Sequence, residues 1–395
     1  MKRLKTNLNP AFLKISLPWS TILDQEGLHW NIISEKDLND HIFLIITDHT
    51  NISKNTLENF VRSGGLVLIS TQKWFDLSNS KYKNYNSKFL TSSPNSFFSG
   101  IDFVNINHTI KYPKNKNITP IDLKLHIYEK NFDAGKIIFF PFDLDKIYLD
   151  HSTKRQQFYD NRNELPSEVV SKNSKSKVRQ ILFLCIRYLY NFKKLPLIRS
   201  NYNPKNCKSI FCFRIDTDFA TKDNAIKTND LCEKYSIPAT WFIETSNINL
   251  IKNVYKNFNT AEIAFHNDRH IIYDDFVSNK SNIESGLNKL KSLNISNLNG
   301  FAAPFGDWNI SLNNALNDTF SYSSEFSYDY DNLPSYPIIK NGFSNVMQIP
   351  IHPISIGRLN RSHYNSKEMT KYYYNVIKNK LLNREPIILY FHPNN

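Results

Sequence analysis

The sequence predicts an α/β protein of two domains: a parallel-sheet domain over residues 1–150 and a distorted (β/α) barrel over residues 207–395, joined by a partly helical connector, residues 151–206. Three observations carry this. A strand, helix, strand cadence fills residues 41–71, seven strand-like runs alternate with helical stretches beyond residue 207, and the stretch between is mixed polar and basic. With 395 residues, the chain can bury a separate core in each domain.

In the first domain, HIFLIITD at 41–48 is a continuous apolar, β-branched run, as expected of a strand covered on both faces. Helical spacing follows through Leu57, Phe60 and Val61, with Ser53 placed to cap the helix and Gly64-Gly65 to close it. The next apolar run, LVLIST at 66–71, comes at once, so the unit is a right-handed crossover between parallel strands. KIIFFPFD at 136–143, after Gly135, can join the same sheet. The segments DHIFLIITD (40–48) and LENFVRSGGLVLIS (57–70) resemble the class I glutamine amidotransferase-like fold, a flavodoxin-like layout, over about residues 10–150. Amidotransferase activity does not come with that resemblance, because it needs a nucleophilic cysteine after a strand and no cysteine precedes Cys185. An accessory or substrate-positioning domain is expected.

In the connector, Pro166-Ser167-Glu168 reads as a helix entry. Val169, Val170, Val178, Ile181, Leu182, Cys185, Ile186 and Leu189 form an apolar stripe. Such a helix docks on one or both domains, or lies on an anionic membrane surface. Leu195-Pro196 and Asn203-Pro204 end it.

Lys and Arg number 49 against 36 Asp and Glu, a net charge of +13, which favours an anionic partner. The lysines are scattered among Asn and Ser rather than set in an aromatic-interleaved stripe, so nucleic acid is not the expected partner; an acidic glycan or an envelope surface fits. Cys185, Cys207, Cys212 and Cys232 form no C-x-x-C pair and are expected to be reduced. The first twenty residues lack the apolar core and cleavage site of a secretory leader. ILFLCIRYLY at 181–190 is too short to span a bilayer and contains Arg187, so a soluble cytoplasmic chain, with room for work near a membrane, is expected.

The chemistry centres on SIFCFRIDTDF at 209–219. Period-two alternation puts Arg214, Asp216 and Asp218 on one side at a strand end, where the acids are either solvated or held for a cation or a proton transfer. The following helix, 225–235, is expected to turn Ile226, Leu231 and Tyr235 inward. After a short strand at 261–265, His266 and His270 form an H-x-x-x-H pair that faces one ion from a helical turn or a tight turn. Two imidazoles and a carboxylate leave positions open, as a catalytic divalent metal requires.

At this point residues 205–395 resemble the polysaccharide deacetylase family, the NodB-homology domain of carbohydrate esterases. The carrying motifs are the acidic pair, H-x-x-x-H, Ala302-Ala303-Pro304-Phe305-Gly306 for R-x-P-x-G, and Tyr390-Phe391-His392 for L-x-H. The resemblance implies a NodB-type barrel and metal-dependent removal of acetyl groups from an N-acetylated amino sugar in a surface polysaccharide or its precursor. It implies Asp216 as general base, Asp218, His266 and His270 as ligands of zinc (or cobalt, nickel or manganese), and His392 as general acid. Pro304 and Phe305 would lie at the oxyanion site, the latter through its backbone N–H.

Two departures stand out. The family's third-motif arginine, which orients the base, is Ala302 here, and Arg214 is placed to take over that task. The acid that orients His392 is not evident, with Glu325, Asp329 and Asp331 as candidates and Asp331 favoured. Trp308 is the aromatic singled out for stacking on a sugar ring. His352, at the end of the extended QIPIHP segment, is either packed or in contact with substrate at the rim. Rival functions are a hydrolase of a non-sugar amide, a non-haem iron oxygenase with two histidines and a carboxylate, and a non-catalytic glycan binder.

Overall fold

The computed structural model describes residues 7–158, 162–200, 204, 207–246, 248, 254–255, 258, 262–330, 333–340 and 342–395. It divides into two compact units, Met1–Asp150 with Asn173–Tyr202, and His151–Lys172 with Asn203–Asn395.

In the first unit the described strands make a seven-stranded sheet in the order Asn31–Ile32, Asn7–Phe12, His41–Ile46, Leu66–Ser70, Lys136–Phe140, Ile127–Asn131, Thr119–Asp122. The first five strands run parallel, and the last two pairings are antiparallel. The runs at 41–48, 66–71 and 136–143 are thus neighbours in one parallel sheet, as their apolar character requires. Ser53 caps the helix Lys54–Arg62 by accepting the Thr56 N–H at 3.0 Å. Gly64, at φ +101°, turns the chain into the next strand. Gly135 is required by close approach: a Cβ there would sit 2.2 Å from the Val61 carbonyl oxygen.

The helix Lys175–Phe192 belongs to this unit and packs on the strands Leu66–Ser70 and Lys136–Phe140. Its stripe of Val178, Ile181, Leu182, Cys185, Ile186 and Leu189 is fully buried within this unit. No described helix is long and apolar enough to cross a membrane. All four cysteines are free.

The segment read as a helix entry is a β-hairpin instead. Thr153–Gln157 pairs antiparallel with Ser167–Ser171, and this hairpin is part of the second unit. Val169 and Val170 therefore leave the helical stripe. Val170 packs with Phe326, Tyr330, Ile351, Ile388 and Tyr390, and Ser171 N–H donates to the Phe326 carbonyl at 3.2 Å.

The second unit is built on a curled, seven-stranded, all-parallel sheet. Its order is Met347–Gln348, Tyr322–Ser323, Gly300–Phe301, Glu262–Phe265, Ala239–Ile243, Phe211–Asp216, Ile387–Phe391. Chain order runs unbroken from Phe211 to Gln348, and the last strand returns beside the first, which is the distorted (β/α) barrel the spacing predicts. Past Gln348 the chain reaches the opposite edge, where His352 N–H donates to the Ile388 carbonyl at 2.9 Å. The helix Lys222–Lys234 presents a different face from the expected one. Ala225, Thr228, Asn229 and Cys232 are buried, whereas Ile226, Leu231 and Tyr235 face outward.

Candidate active site

Arg214 and Asp216 lie two apart on the strand Phe211–Asp216, so both point into the barrel. Both are almost fully buried. The guanidinium grips the carboxylate with two bonds, Nε to Oδ1 at 2.6 Å and Nη2 to Oδ2 at 2.7 Å. Its Nη1 donates to the Ser324 carbonyl, and the group lies over the rings of Phe242 and Tyr390. Burial works against the charge on Asp216, but Arg214 and the neighbouring imidazoles outweigh it and hold the carboxyl below its ordinary range.

The strand ends in a turn. Thr217 N–H donates to the Phe242 carbonyl, Ala220 N–H to that of Thr217, and Phe219 takes a left-handed φ of +59°. This turn swings Asp218 back over the barrel mouth and leaves Phe219 exposed.

His266 follows the strand Glu262–Phe265 directly, and the H-x-x-x-H segment is a tight turn with Asn267 at φ +73°. Asp268 secures it by accepting from Thr245 Oγ1 and Lys289 Nζ, each at 2.6 Å, and from Ser285 Oγ at 2.8 Å. His266 Nδ1 lies 2.8 Å from the Ala302 carbonyl. A carbonyl oxygen only accepts, so the proton sits on Nδ1 and the lone pair of neutral His266 is on Nε2.

That lone pair faces Asp218 Oδ1 at 3.4 Å; His392 Nε2 lies 3.4 Å from the same oxygen, and His270 Nε2 lies 3.5 Å from Oδ2. Asp218 Oδ1 is buried without a hydrogen-bond partner. A carboxylate and imidazole lone pairs converging on one point need positive charge between them. The donor atoms of Asp218, His266 and His270 lie within 4.8 Å of one another, as do those of Asp216, Asp218 and His392. The donor set therefore fits a divalent cation. Burial opposes ionisation of Asp218, yet the imidazoles of His266, His392 and His270 gathered around it prevail and hold its pKa below the ordinary range. Burial keeps His270 neutral by lowering its pKa.

These groups open into a cavity of about 500 Å3 lined by Arg214, Asp216, Asp218, His266, His270, Phe305 and His392 among others. Phe305, at φ +58°, and Phe219 are 65% and 69% exposed and flank the His270 ring, with centroids 4.6 and 5.6 Å away. Three sequence candidates lie elsewhere. Pro304 is buried beneath the loop and does not line the cavity. Trp308 is 4% exposed, packed against His151 and Tyr328, and so cannot stack on a sugar in the cavity. His352 is buried with Nε2 2.9 Å from the Tyr372 hydroxyl, away from His392.

The partner of His392 also differs from expectation. Its Nδ1 lies 3.0 Å from Asn395 Nδ2. Asp331 falls outside the described residues. Asp329 is buried, and its carboxylate accepts the Tyr330 N–H. Glu325 is fully buried beside Arg214 and accepts the Ala303 N–H at 3.1 Å. Its second oxygen is unpaired, and burial pushes its carboxyl up to about 7 against the partial relief from Arg214. An acid whose folded pKa lies above its ordinary 4.5 favours folding below that pH, and the benefit is lost as pH rises through about 7. Urea unfolding at pH 5 and pH 8 should show the native protein losing about 3 kcal/mol relative to Glu325→Gln. Parallel losses in the two proteins would contradict that protonation state.

Sequence reasoning missed Phe219 and the hairpin residues Arg155, Glu168 and Val169, which complete the cavity with Arg358 and Arg361. No motif marks the hairpin, and left-handed backbone at a phenylalanine leaves no signature in composition.

No family model and no curated protein matches this sequence. Among solved structures, a polysaccharide deacetylase of Pseudomonas aeruginosa PAO1 is similar at 13% identity, over 52% of this chain and 84% of that one, with a TM-score of 0.39. A polysaccharide deacetylase of Mycobacterium smegmatis is similar at 12% identity, over 50% and 82%, with a TM-score of 0.38. An allantoinase is similar at 13% identity, over 49% and 80%, with a TM-score of 0.39. At TM-scores below 0.5 these likenesses do not bear on the chemistry, which rests on the side chains described above.

Proposed function

We propose that this chain is a metal-dependent N-deacetylase acting on an N-acetylated amino sugar in a surface polysaccharide or its precursor. The observation that carries the proposal is the unpartnered, buried Asp218 Oδ1 facing imidazole lone pairs, beside a carboxylate clamped by arginine. Asp218, His266 and His270 would hold the ion, and their mixed imidazole and carboxylate character suits zinc, with cobalt, nickel or manganese as substitutes. A divalent ion bound there would supply Lewis-acid stabilisation of negative charge and make water more acidic.

The remaining work falls to the chain. Asp216, kept ionised by Arg214, accepts the proton of the attacking water. Arg214 is a positioning residue: its two bonds fix the carboxylate, and Ser324 fixes the guanidinium. The backbone N–H of Phe305 helps bind the developing oxyanion. His392, whose Nε2 lies 3.4 Å from Asp218 Oδ1, gives its proton to the departing nitrogen, so water and amide become acetate and a free amine. An arginine missing at Ala302 favours a non-catalytic binder only if no other arginine reaches the base, and the Arg214 pair supports catalysis instead. The first unit has no cysteine placed for amidotransfer, since Cys185 is buried on a helix, which supports an accessory role.

Acetate release from N-acetylated glycans should stop when a chelator removes metal and return on adding zinc. Full activity after thorough metal removal would overturn the proposal.

A further inference from the structure

The cavity has a second wall, built by residues other than Asp216, Asp218 and the imidazoles. The hairpin brings Arg155, Glu168 and Val169 to it, and the helix Ile356–Arg361 brings Arg358 and Arg361. Glu168 is buried and binds Arg358, Oε2 to Nε at 2.5 Å, which cancels one charge of each sign. Among the described residues Arg155 bonds the neutral Ser167 hydroxyl alone, at 3.4 Å, and it is exposed. Arg361 is exposed and has no acidic partner among the described residues. One acid, Asp307, lines the same space with no paired cation among the described residues. Beyond the Arg358–Glu168 pair, the described residues of this wall therefore present two guanidiniums without an acidic partner against a single carboxylate.

Two free arginines at the mouth of a substrate cavity have one common use. Guanidinium forks match the oxygens of a carboxylate or phosphate, and desolvation in a concave site strengthens the bond. We propose that this wall recognises an anionic group on the amino-sugar substrate, a carboxylate or a phosphate, through Arg155 and Arg361. The proposal rests on the deacetylase function only for the reaction that takes place beside the wall. The hairpin, which joins the second unit from between two stretches of the first, thus acts as a specificity element.

The test is equilibrium binding by calorimetry to the full chain loaded with zinc and carrying Asp216→Asn, so that no turnover intervenes. A hyaluronan tetrasaccharide is compared with neutral chitotetraose, and N-acetylglucosamine 6-phosphate with N-acetylglucosamine. At least one anionic probe should bind about tenfold or more tightly than its neutral counterpart, and the winning pair distinguishes carboxylate from phosphate. That preference should shrink with added salt, disappear in Arg155→Gln/Arg361→Gln, and grow in Asp307→Asn. Equal binding within both pairs, no binding of any probe, or a preference that survives the double substitution would overturn the proposal. Acetate release separates the two ideas: N-acetylated chitotetraose deacetylated by a protein with no anion preference defeats this inference alone. An anion preference without acetate from any glycan defeats the deacetylase function alone.

Discussion

Asp216→Asn is expected to lower kcat for acetate release by at least about a hundredfold, with KM little changed. The substitution keeps the shape of the side chain and both neighbours but removes the carboxylate that Arg214 clamps. An amide cannot accept the water proton at neutral pH, so the loss falls on the chemical step. It also leaves a buried guanidinium without its counter-charge, which destabilises the fold, so the thermal transition has to be measured alongside the rate. Arg214→Lys is the informative companion. Lysine preserves the charge but loses the two-bond grip, so kcat should fall by about tenfold while the protein stays folded. A native rate in Arg214→Lys beside an inactive Asp216→Asn would show that the clamp does not position the base.

His270→Ala is expected to weaken zinc binding by at least about a hundredfold and to abolish turnover at stoichiometric zinc. His270 is a better target than His266, because His266 is buried and bonded to the Ala302 carbonyl, whereas His270 is partly open to the cavity. Its loss removes one of three converging donors without disturbing the strand Glu262–Phe265 or the Asp268 anchor of the turn. Excess zinc should restore part of the activity. Native zinc affinity in the variant would remove His270 from the ligand set.

Much of this architecture follows from period and order along the chain. Strands such as Phe211–Asp216, Ala239–Ile243 and Ile387–Phe391 announce themselves as apolar runs, and the acids and histidines stand at or just past the carboxyl ends of barrel strands, where a parallel barrel gathers loops. Other features need tertiary context. The hairpin Thr153–Gln157 and Ser167–Ser171 contains valines at a spacing that also fits a helix, and only pairing and the contact of Val170 with Phe326 and Tyr390 decide the matter. On the helix Lys222–Lys234, the large apolar residues were expected inside. Small Ala225 and Cys232 face the core instead and permit close approach to the sheet, because exposed apolar residues are common while bulky ones do not always fit. Trp308 illustrates the same point, since its size predicts a contact surface but not whether that surface meets ligand or core. The exposure of Phe219 and Phe305 depends on left-handed backbone at both, which sequence pattern does not encode.

The most direct test of the central claim is the location of the ion by anomalous X-ray scattering at the zinc edge in crystals of the zinc-loaded protein. The account predicts one peak within coordinating distance of Asp218, His266 Nε2 and His270 Nε2, with Asp216 beside it and still clamped by Arg214. A fully loaded protein whose zinc lies elsewhere, or whose Asp218 remains without an ion, would contradict it.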